Sequence, residues 1–182
     1  IKGGFLGVDI FFVISGYVIT QNLASGQGTL EEKLKEFYLR RAKRILPSSL
    51  FVILVVALLS RFFLAPIYQP RFRVDALWSS LMGANIGFGL HNLDYLQATV
   101  SPSPYLHYWS LGVEEQFYII WPPILWAAWR LRMRVLPVIL VIGLASFAFN
   151  LYGIAIDPVA SFYSPLTRFW ELLIGALLAY VT

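Results

Sequence analysis

Residues Gly4 to Leu23 have the sequence GFLGVDIFFVISGYVITQNL, a run of 20 residues in which Asp9 is the only charge. About 20 apolar residues are what an α-helix needs to cross the hydrocarbon core of a membrane. Of all 182 residues, 58% are hydrophobic and 13% are charged, against a usual ~25% charged. The sequence therefore predicts an all-α, multi-pass transmembrane helical bundle. The predicted crossings are 4–23, 47–65, 104–129, 135–152 and 166–180.

A segment of another kind, 29–46, separates the first two apolar runs. Its sequence TLEEKLKEFYLRRAKRIL has acids in the first turn and bases in the last, as the helix dipole favours. Thr29 and Glu32 have the spacing of a T-x-x-E capping box. We therefore expect a cytoplasmic amphipathic helix over 29–46, with Pro47 starting the next crossing.

The distribution of basic residues predicts the topology. Cytoplasmic loops are rich in Lys and Arg, which places both Lys33–Arg44 and Arg130–Arg134 in the cytoplasm. Two crossings must then separate these clusters, so the short, polar, Gly-rich run 74–90 is expected to be a re-entrant or interfacial segment. Five crossings with residue 1 outside follow. We expect the chain, 1–182, to be a partial domain that lacks an upstream helix.

Asp9 is the first candidate functional residue. A charge near the bilayer centre costs ~2.5–3.5 kcal/mol on insertion scales and normally faces protein or water. On a helix Asp9 shares a face with Gly16, and a small residue there indicates close packing of another helix. A structural hydrogen bond and a functional role are both open interpretations.

Arg41 and Arg44 form the second candidate. Leu34, Phe37 and Ile45 mark the apolar face of the predicted amphipathic helix, with Arg41 near its centre and Arg44 at its edge. A guanidinium directed at protein needs an anionic partner, and arginines at i, i+3 suit phosphate or carboxylate. Snorkelling to lipid phosphates is the alternative.

The third candidate is the segment His107 to Tyr118, HYWSLGVEEQFY. On a helix starting at Pro104, one face carries an imidazole, a hydroxyl, a carboxyl and a phenol, from His107, Ser110, Glu114 and Tyr118. Such groups are costly in an apolar helix unless they meet partners or a substrate. His107 and Ser110 could also be a base and a nucleophile, although a third orienting group is missing. A structural network between helices is the alternative.

Together, three segments resemble the acyltransferase-3 family of bacterial membrane O-acyltransferases: GGFLGVDIFFVISGYVIT (Gly3–Thr20), FYLRRAKRILP (Phe37–Pro47) and HYWSLGVEEQFYIIWP (His107–Pro122). The resemblance covers the chain to about Pro122, with later helices matching only as generic spans. It implies about ten transmembrane helices, of which this chain would be the N-terminal half without its first helix.

This resemblance implies transfer of an acyl group, usually acetyl from acetyl-CoA, to a hydroxyl of a glycan such as O-antigen, peptidoglycan or exopolysaccharide. It assigns Arg41 and Arg44 to acyl-CoA binding at the cytoplasmic side, and matches Asp9 and Glu114 to family acids. The family's catalytic histidine would precede Gly3, so Asp9 or Glu114 would orient it. We also expect supporting roles for His107, Ser110, Trp109 and Tyr118, and no metal site.

The implied partners are membrane lipid, acyl-CoA, a glycan acceptor and the remaining helices of the parent protein, in the bacterial cytoplasmic (inner) membrane. On its own the fragment is expected to be inactive.

The small net charge of +4 lies in clusters beside predicted crossings, which is not the pattern of a nucleic-acid-binding surface. A transporter or channel is the alternative function, because intramembrane carboxylates also mark ion paths. A structural scaffold would leave Arg41 and Glu114 without a reason.

Overall fold

The computed structural model describes residues 6–24, 30–63, 65–91 and 103–181. Within these ranges the chain is helical and contains no strand, which confirms the all-α class. The predicted cap at Thr29 and residues 92–102 lie outside the described residues. The helices are α1 (Leu6–Ala24), α2 (Leu30–Phe63), α3 (Gln69–Ser80), α4 (Ala84–Leu90), α5 (Tyr108–Arg130), α6 (Val135–Ile156), α7 (Pro158–Tyr163) and α8 (Pro165–Val181).

Three of the described helices, α1, α2 and α6, are long and apolar enough to cross a membrane. The other two predicted crossings are α5, which contains the acidic pair Glu114 and Glu115, and α8, which has 17 residues. At 1.5 Å per residue α2 is ~51 Å long, well beyond the ~30 Å hydrocarbon core. The chain is a membrane protein, and part of α2 extends further than a single crossing requires.

Two helix boundaries differ from the prediction. Pro47 lies inside α2, so the predicted segments 29–46 and 47–65 form one continuous helix. A proline removes one main-chain hydrogen bond, and hydroxyl side chains can satisfy backbone groups freed nearby. Here the Ser48 hydroxyl donates to the carbonyls of Arg44 and Ile45, 3.2 and 3.0 Å away. Likewise, α5 begins at Tyr108 rather than at Pro104, after tight turns with i→i−3 hydrogen bonds.

The run 74–90 is divided between α3 and α4. These helices have 12 and 7 residues, and neither can cross a ~30 Å core. At the turn between them, Met82 has φ of 55° and the Gly83 amide donates to the Trp78 carbonyl at 2.8 Å. The buried Asn85 of α4 joins α5 through paired amides: Nδ2 donates to Gln116 Oε1 (3.2 Å), and Gln116 Nε2 donates back to Oδ1 (2.9 Å).

Replacing Asn85 by alanine tests whether this amide pair holds α4 in place. The change would remove the hydrogen bonds of Asn85 to the Gln116 amide and to the Tyr163 carbonyl, leaving Gln116 Nε2 with a long contact of 3.5 Å to the Met82 carbonyl. We expect a loss of about 2 kcal/mol in the free energy of unfolding, measured by thermal unfolding in detergent. Asn22→Ala is the control, because among the described residues exposed Asn22 bonds to its own helix alone, and the change should alter the free energy of unfolding by less than ~0.5 kcal/mol.

Side-chain contacts give the direction of each long helix. Phe12 contacts Trp109 and Thr20 contacts Trp121, so α1 and α5 run parallel. Tyr108 reaches Ser49 while Tyr38 reaches Tyr118, so α2 runs antiparallel to α5. In the same way α6 is antiparallel to α8, because Asn150 donates to the Thr167 carbonyl while Gly143, earlier in α6, lies against Leu173. Arg168 contacts Asp9, and both precede the glycines at which α1 and α8 cross, so α1 and α8 run parallel. Helices α1, α5 and α8 therefore share one direction, and α2 and α6 have the other.

Helices α1 and α8 cross at two glycines. A methyl group on Gly16 would overlap the main-chain oxygen of Leu172, and one on Gly175 would overlap that of Val13. The two backbones are therefore in direct contact, as small residues allow between membrane helices. This packing confirms the expectation that another helix lies closely against the face of α1 that carries Gly16 and Asp9.

Candidate active site

Glu114 is the centre of a polar cluster inside the helical bundle. Its side chain is only 5% exposed. The Ser15 hydroxyl of α1 donates to Oε1 at 2.5 Å, and the Tyr118 hydroxyl donates to the same oxygen at 2.8 Å. The Arg41 guanidinium of α2 lies 3.0 Å from Oε2. Both carboxylate oxygens thus have partners, and one side chain connects three helices.

Arg41 is held by two carboxylates and an aromatic ring. Its Nε donates to Glu115 Oε1 at 2.8 Å, and its NH2 group lies 2.8 Å from the same oxygen. The guanidinium carbon lies 3.6 Å from the centre of the Tyr118 ring, within cation–π range. The anionic partners expected for Arg41 are therefore two carboxylates of its own chain. The two carboxylates and the Tyr118 ring hold the planar guanidinium in one orientation.

The apolar face of α2 explains how Arg41 reaches α5. Phe37, one turn earlier, packs edge-on against the Tyr118 ring with centroids 5.8 Å apart. Its neighbour Tyr38 donates to the Tyr118 carbonyl at 2.8 Å. Because residues three and four apart share a helix face, these contacts bring Arg41 beside Glu114. Glu114 also contacts Ser15, the middle residue of α1, so Arg41 lies level with the middle of that helix.

The other basic residues of α2 have different surroundings. Arg40 is exposed and pairs with Glu36 on its own helix. Arg44 is exposed and, among the described residues, has no ion pair. The arginines predicted to act together therefore differ, since Arg41 is fixed in the bundle while Arg44 projects from it.

A pocket of about 240 Å³ opens between α2 and α5 beside Arg41. Arg41 and Glu115 contribute charge to its wall, and Arg41 NH1 makes no hydrogen bond to any described residue. Its remaining lining is mostly apolar, as is usual for small-molecule sites with a few polar groups that fix orientation. The lining residues are Tyr38, Arg41, Ala42, Ile45, Leu46, Met82, Glu115 and Ile119.

Asp9 belongs to a second charged cluster, between α1 and α8. Arg168 NH1 donates to Asp9 Oδ1 at 3.4 Å and to Glu171 Oε1 at 2.7 Å. Arg168 Nε donates to the Phe162 carbonyl at 3.3 Å. Trp109, a predicted supporting residue, is buried and lies 5.7 Å from the guanidinium carbon. The structure thus separates Asp9 from Glu114, which the sequence treated as interchangeable orienting acids.

The structure does not join Ser110 to an imidazole. The Ser110 hydroxyl donates to the main-chain carbonyl of His107 at 3.3 Å, which is a local helix contact. His107 lies on the exposed turn before α5. Of the four residues predicted on one face, Glu114 and Tyr118 are thus in the buried cluster, while His107 and Ser110 lie nearer the surface.

Sequence reasoning missed Arg168, Glu171 and Ser15. The first two are charged residues inside a run predicted to cross the membrane, the same signal that identified Asp9. Ser15 gives a weaker signal, because a serine in a membrane helix can satisfy its hydroxyl on its own backbone. Its contact with Glu114 depends on how α1 packs against α5.

The fold and site describe a helical membrane protein with two clusters of acidic and basic side chains between its helices. A sequence profile of the family described as "Acyltransferase domain" matches residues 3–182. The chain belongs to this acyltransferase family.

The chain is similar to curated proteins that are named as O-acetyltransferases. The chain is 39% identical over 186 residues to the "Peptidoglycan O-acetyltransferase OatA" of Listeria monocytogenes, covering 99% of this chain and 30% of that protein. It is 34% identical to the "O-acetyltransferase OatA" of Staphylococcus aureus, covering 100% of this chain and 30% of that protein. The chain thus spans less than a third of these relatives. No solved structure shows a significant match.

Proposed function

We propose that an intact protein carrying this chain is an O-acetyltransferase of the bacterial cytoplasmic membrane. It transfers an acetyl group from acetyl-CoA to a hydroxyl of a cell-surface glycan. Family membership supports acyl transfer, and the name of the Listeria monocytogenes relative favours peptidoglycan as the glycan. Because the chain spans 30% of those relatives, the activity is proposed for a larger protein.

The observation that carries this proposal is the fixed Arg41 on the wall of the pocket between α2 and α5. Its NH1 group is open, and Arg44 lies one turn further along α2. Acyl-CoA is an anion with several phosphates, which guanidinium groups bind through charge-assisted hydrogen bonds. We assign Arg44 and the open side of Arg41 to the CoA moiety. Glu114, whose oxygens are both occupied, is a positioning residue that acts through Arg41.

The proposed topology keeps five crossings in alternating directions, with the first turns of α2 towards the cytoplasm. The shared direction of α1, α5 and α8, opposite to α2 and α6, is what this topology requires. Arg41 lies level with the middle of α1, so the donor site extends from the cytoplasm into the membrane. The exposed charges on the other face of α2, such as Arg40 and Lys43, need water at that depth. We therefore place a hydrated inlet for acyl-CoA along this face.

In the proposed reaction the acetyl carbon–sulfur bond of acetyl-CoA breaks and a carbon–oxygen bond to the glycan forms. The hydroxyl proton is removed by a base and ends on the CoA sulfur, so the products are an acetyl ester and free CoA. A histidine upstream of Gly3 is proposed as this base, in line with the family resemblance. Of the two acids matched to the family, Asp9 is the one with an oxygen left for a ligand, because its Oδ2 has no partner among the described residues.

Arginine variants of the intact protein test the donor site. Arg44→Ala is expected to raise KM for labelled acetyl-CoA about tenfold, the loss of one charge-assisted contact. Arg41→Ala should reduce both CoA affinity and transfer more strongly, because it also disrupts the Glu114 cluster. Arg40→Ala is the matched control, since its exposed pair with Glu36 contributes little and KM should stay within about twofold. Unchanged transfer and CoA affinity in both Arg41→Ala and Arg44→Ala would refute the assignment.

A further inference from the structure

Arg168 is fixed by its neighbours yet keeps one side open. Its NH1 and Nε groups donate to Asp9, Glu171 and the Phe162 carbonyl, while the Phe162 ring lies 4.9 Å from the guanidinium carbon. Arginine has five N–H donors, and its NH2 group makes no hydrogen bond to any residue in the described ranges. The Arg168 side chain is 15% exposed, so this group can reach a ligand.

Asp9 has a carboxylate oxygen that is available to accept a hydrogen bond from a ligand. Its Oδ1 accepts from Arg168, and Oδ2 has no partner within the described part of the chain. The Asp9 side chain is 36% exposed, whereas that of Glu171 is 2% exposed. Asp9 Oδ2 and Arg168 NH2 thus leave one acceptor and one donor for a ligand, and Glu171 forms the buried part of the cluster.

We propose that Asp9 and Arg168 form the subsite that binds the acceptor glycan at its reacting hydroxyl; this rests on the proposed function. A sugar hydroxyl donates to Asp9 Oδ2, and a neighbouring sugar oxygen accepts from Arg168 NH2. Neighbouring hydroxyls of a sugar offer this donor and acceptor pair, whereas a phosphate would be repelled by the Asp9 carboxylate. The partly exposed Phe162 ring gives an apolar surface for the sugar ring.

The position of this subsite suits a reaction between two substrates that arrive from opposite sides. Asp9 precedes Ser15 by six residues, which is ~9 Å along α1. In the proposed topology Asp9 lies towards the outer side and Arg41 towards the cytoplasm. Acyl-CoA would therefore approach between α2 and α5 from the cytoplasm, and the glycan between α1 and α8 from the outer face of the membrane.

The two binding sites can be separated by steady-state kinetics of the intact protein, with acetyl-CoA and glycan oligomers prepared from peptidoglycan. Arg168→Lys and Asp9→Asn are expected to raise KM for the oligomers about tenfold, with KM for acetyl-CoA within about twofold. Arg44→Ala should give the opposite pattern. Arg130→Lys, an exposed change outside both clusters, is the control. Asp9→Asn keeps the shape of a partly exposed side chain, so it remains informative if Arg168→Lys does not fold.

Binding of labelled oligomers, measured without acetyl-CoA, distinguishes failure of this subsite from failure of the proposed function. If the unsubstituted protein binds oligomers and both variants do not, the subsite stands even where no transfer is detected. If both folded variants bind oligomers like the unsubstituted protein, the subsite is refuted whether or not transfer occurs. An equal rise in both KM values would also refute it, because the cluster would then affect the whole fold. Oligomers that fail to bind the unsubstituted protein would refute it as well.

Discussion

Alanine at Gly16 or Gly175 is expected to separate α1 from α8 and unfold that part of the bundle. In each case the new methyl group would overlap a main-chain oxygen of the opposite helix, which cannot move aside as a flexible side chain would. Overpacking typically costs 1–3 kcal/mol, and a backbone clash should reach at least ~3 kcal/mol. Thermal unfolding in detergent, followed by tryptophan fluorescence, measures the loss. Because α1 carries Asp9 and Ser15, both charged clusters should be disrupted as well.

Gly7→Ala is the matched control for this experiment. Gly7 lies on the same helix, and a methyl group there would contact nothing within 4 Å. The free energy of unfolding of the Gly7→Ala variant should stay within ~0.5 kcal/mol of that of the unsubstituted protein, or rise slightly because alanine favours the helix. If Gly16→Ala and Gly7→Ala had equal stability, the close crossing of α1 and α8 would be wrong.

Glu114→Ala is expected to cost about 3 kcal/mol in stability and to abolish acyl-CoA binding. The change removes the acceptor for Ser15 and Tyr118 and one of the two anions that face Arg41. Removing one partner of a buried ion pair costs about 3–5 kcal/mol, and the lower end applies because Glu115 still faces the guanidinium. Unfolding in detergent and equilibrium binding of labelled acetyl-CoA are the measurements.

Glu115→Ala provides the comparison for Glu114. Glu115 contacts Arg41 alone among the described residues, and its side chain is 18% exposed. We expect a stability loss of about 1 kcal/mol and a smaller loss of CoA affinity. A larger effect at Glu115 than at Glu114 would contradict the central position assigned to Glu114.

Local patterns were enough to predict the all-α class and the unusual position of Arg41. The spacing of Leu34, Phe37 and Ile45 placed Arg41 on the face that contacts protein, and the structure has it there. The identity of its partners depends on the register between α2 and α5, because Arg41 and Glu114 are 73 residues apart in the chain. A single sequence gives no measure of that register.

Two members of the cluster around Arg168 could have been identified from the sequence. Arg168 and Glu171 are charged residues in an apolar run, and the cost of such charges predicts partners for them. The pairing of Arg168 with Asp9 follows from the glycine crossing of α1 and α8, helices that are far apart in the sequence. Pro47 illustrates the opposite error, because a residue that usually ends a helix lies within a continuous one.

Photocrosslinking of an acyl-CoA analogue to the intact protein tests the central claim most directly. The analogue should label peptides that contain Tyr38–Leu46 or Glu115–Ile119, the segments of α2 and α5 that line the pocket at Arg41. Excess acetyl-CoA should abolish this labelling, and Arg44→Ala should weaken it about tenfold at low analogue concentration. Labelling confined to other helices and competed by acetyl-CoA would place the donor site elsewhere and contradict the account.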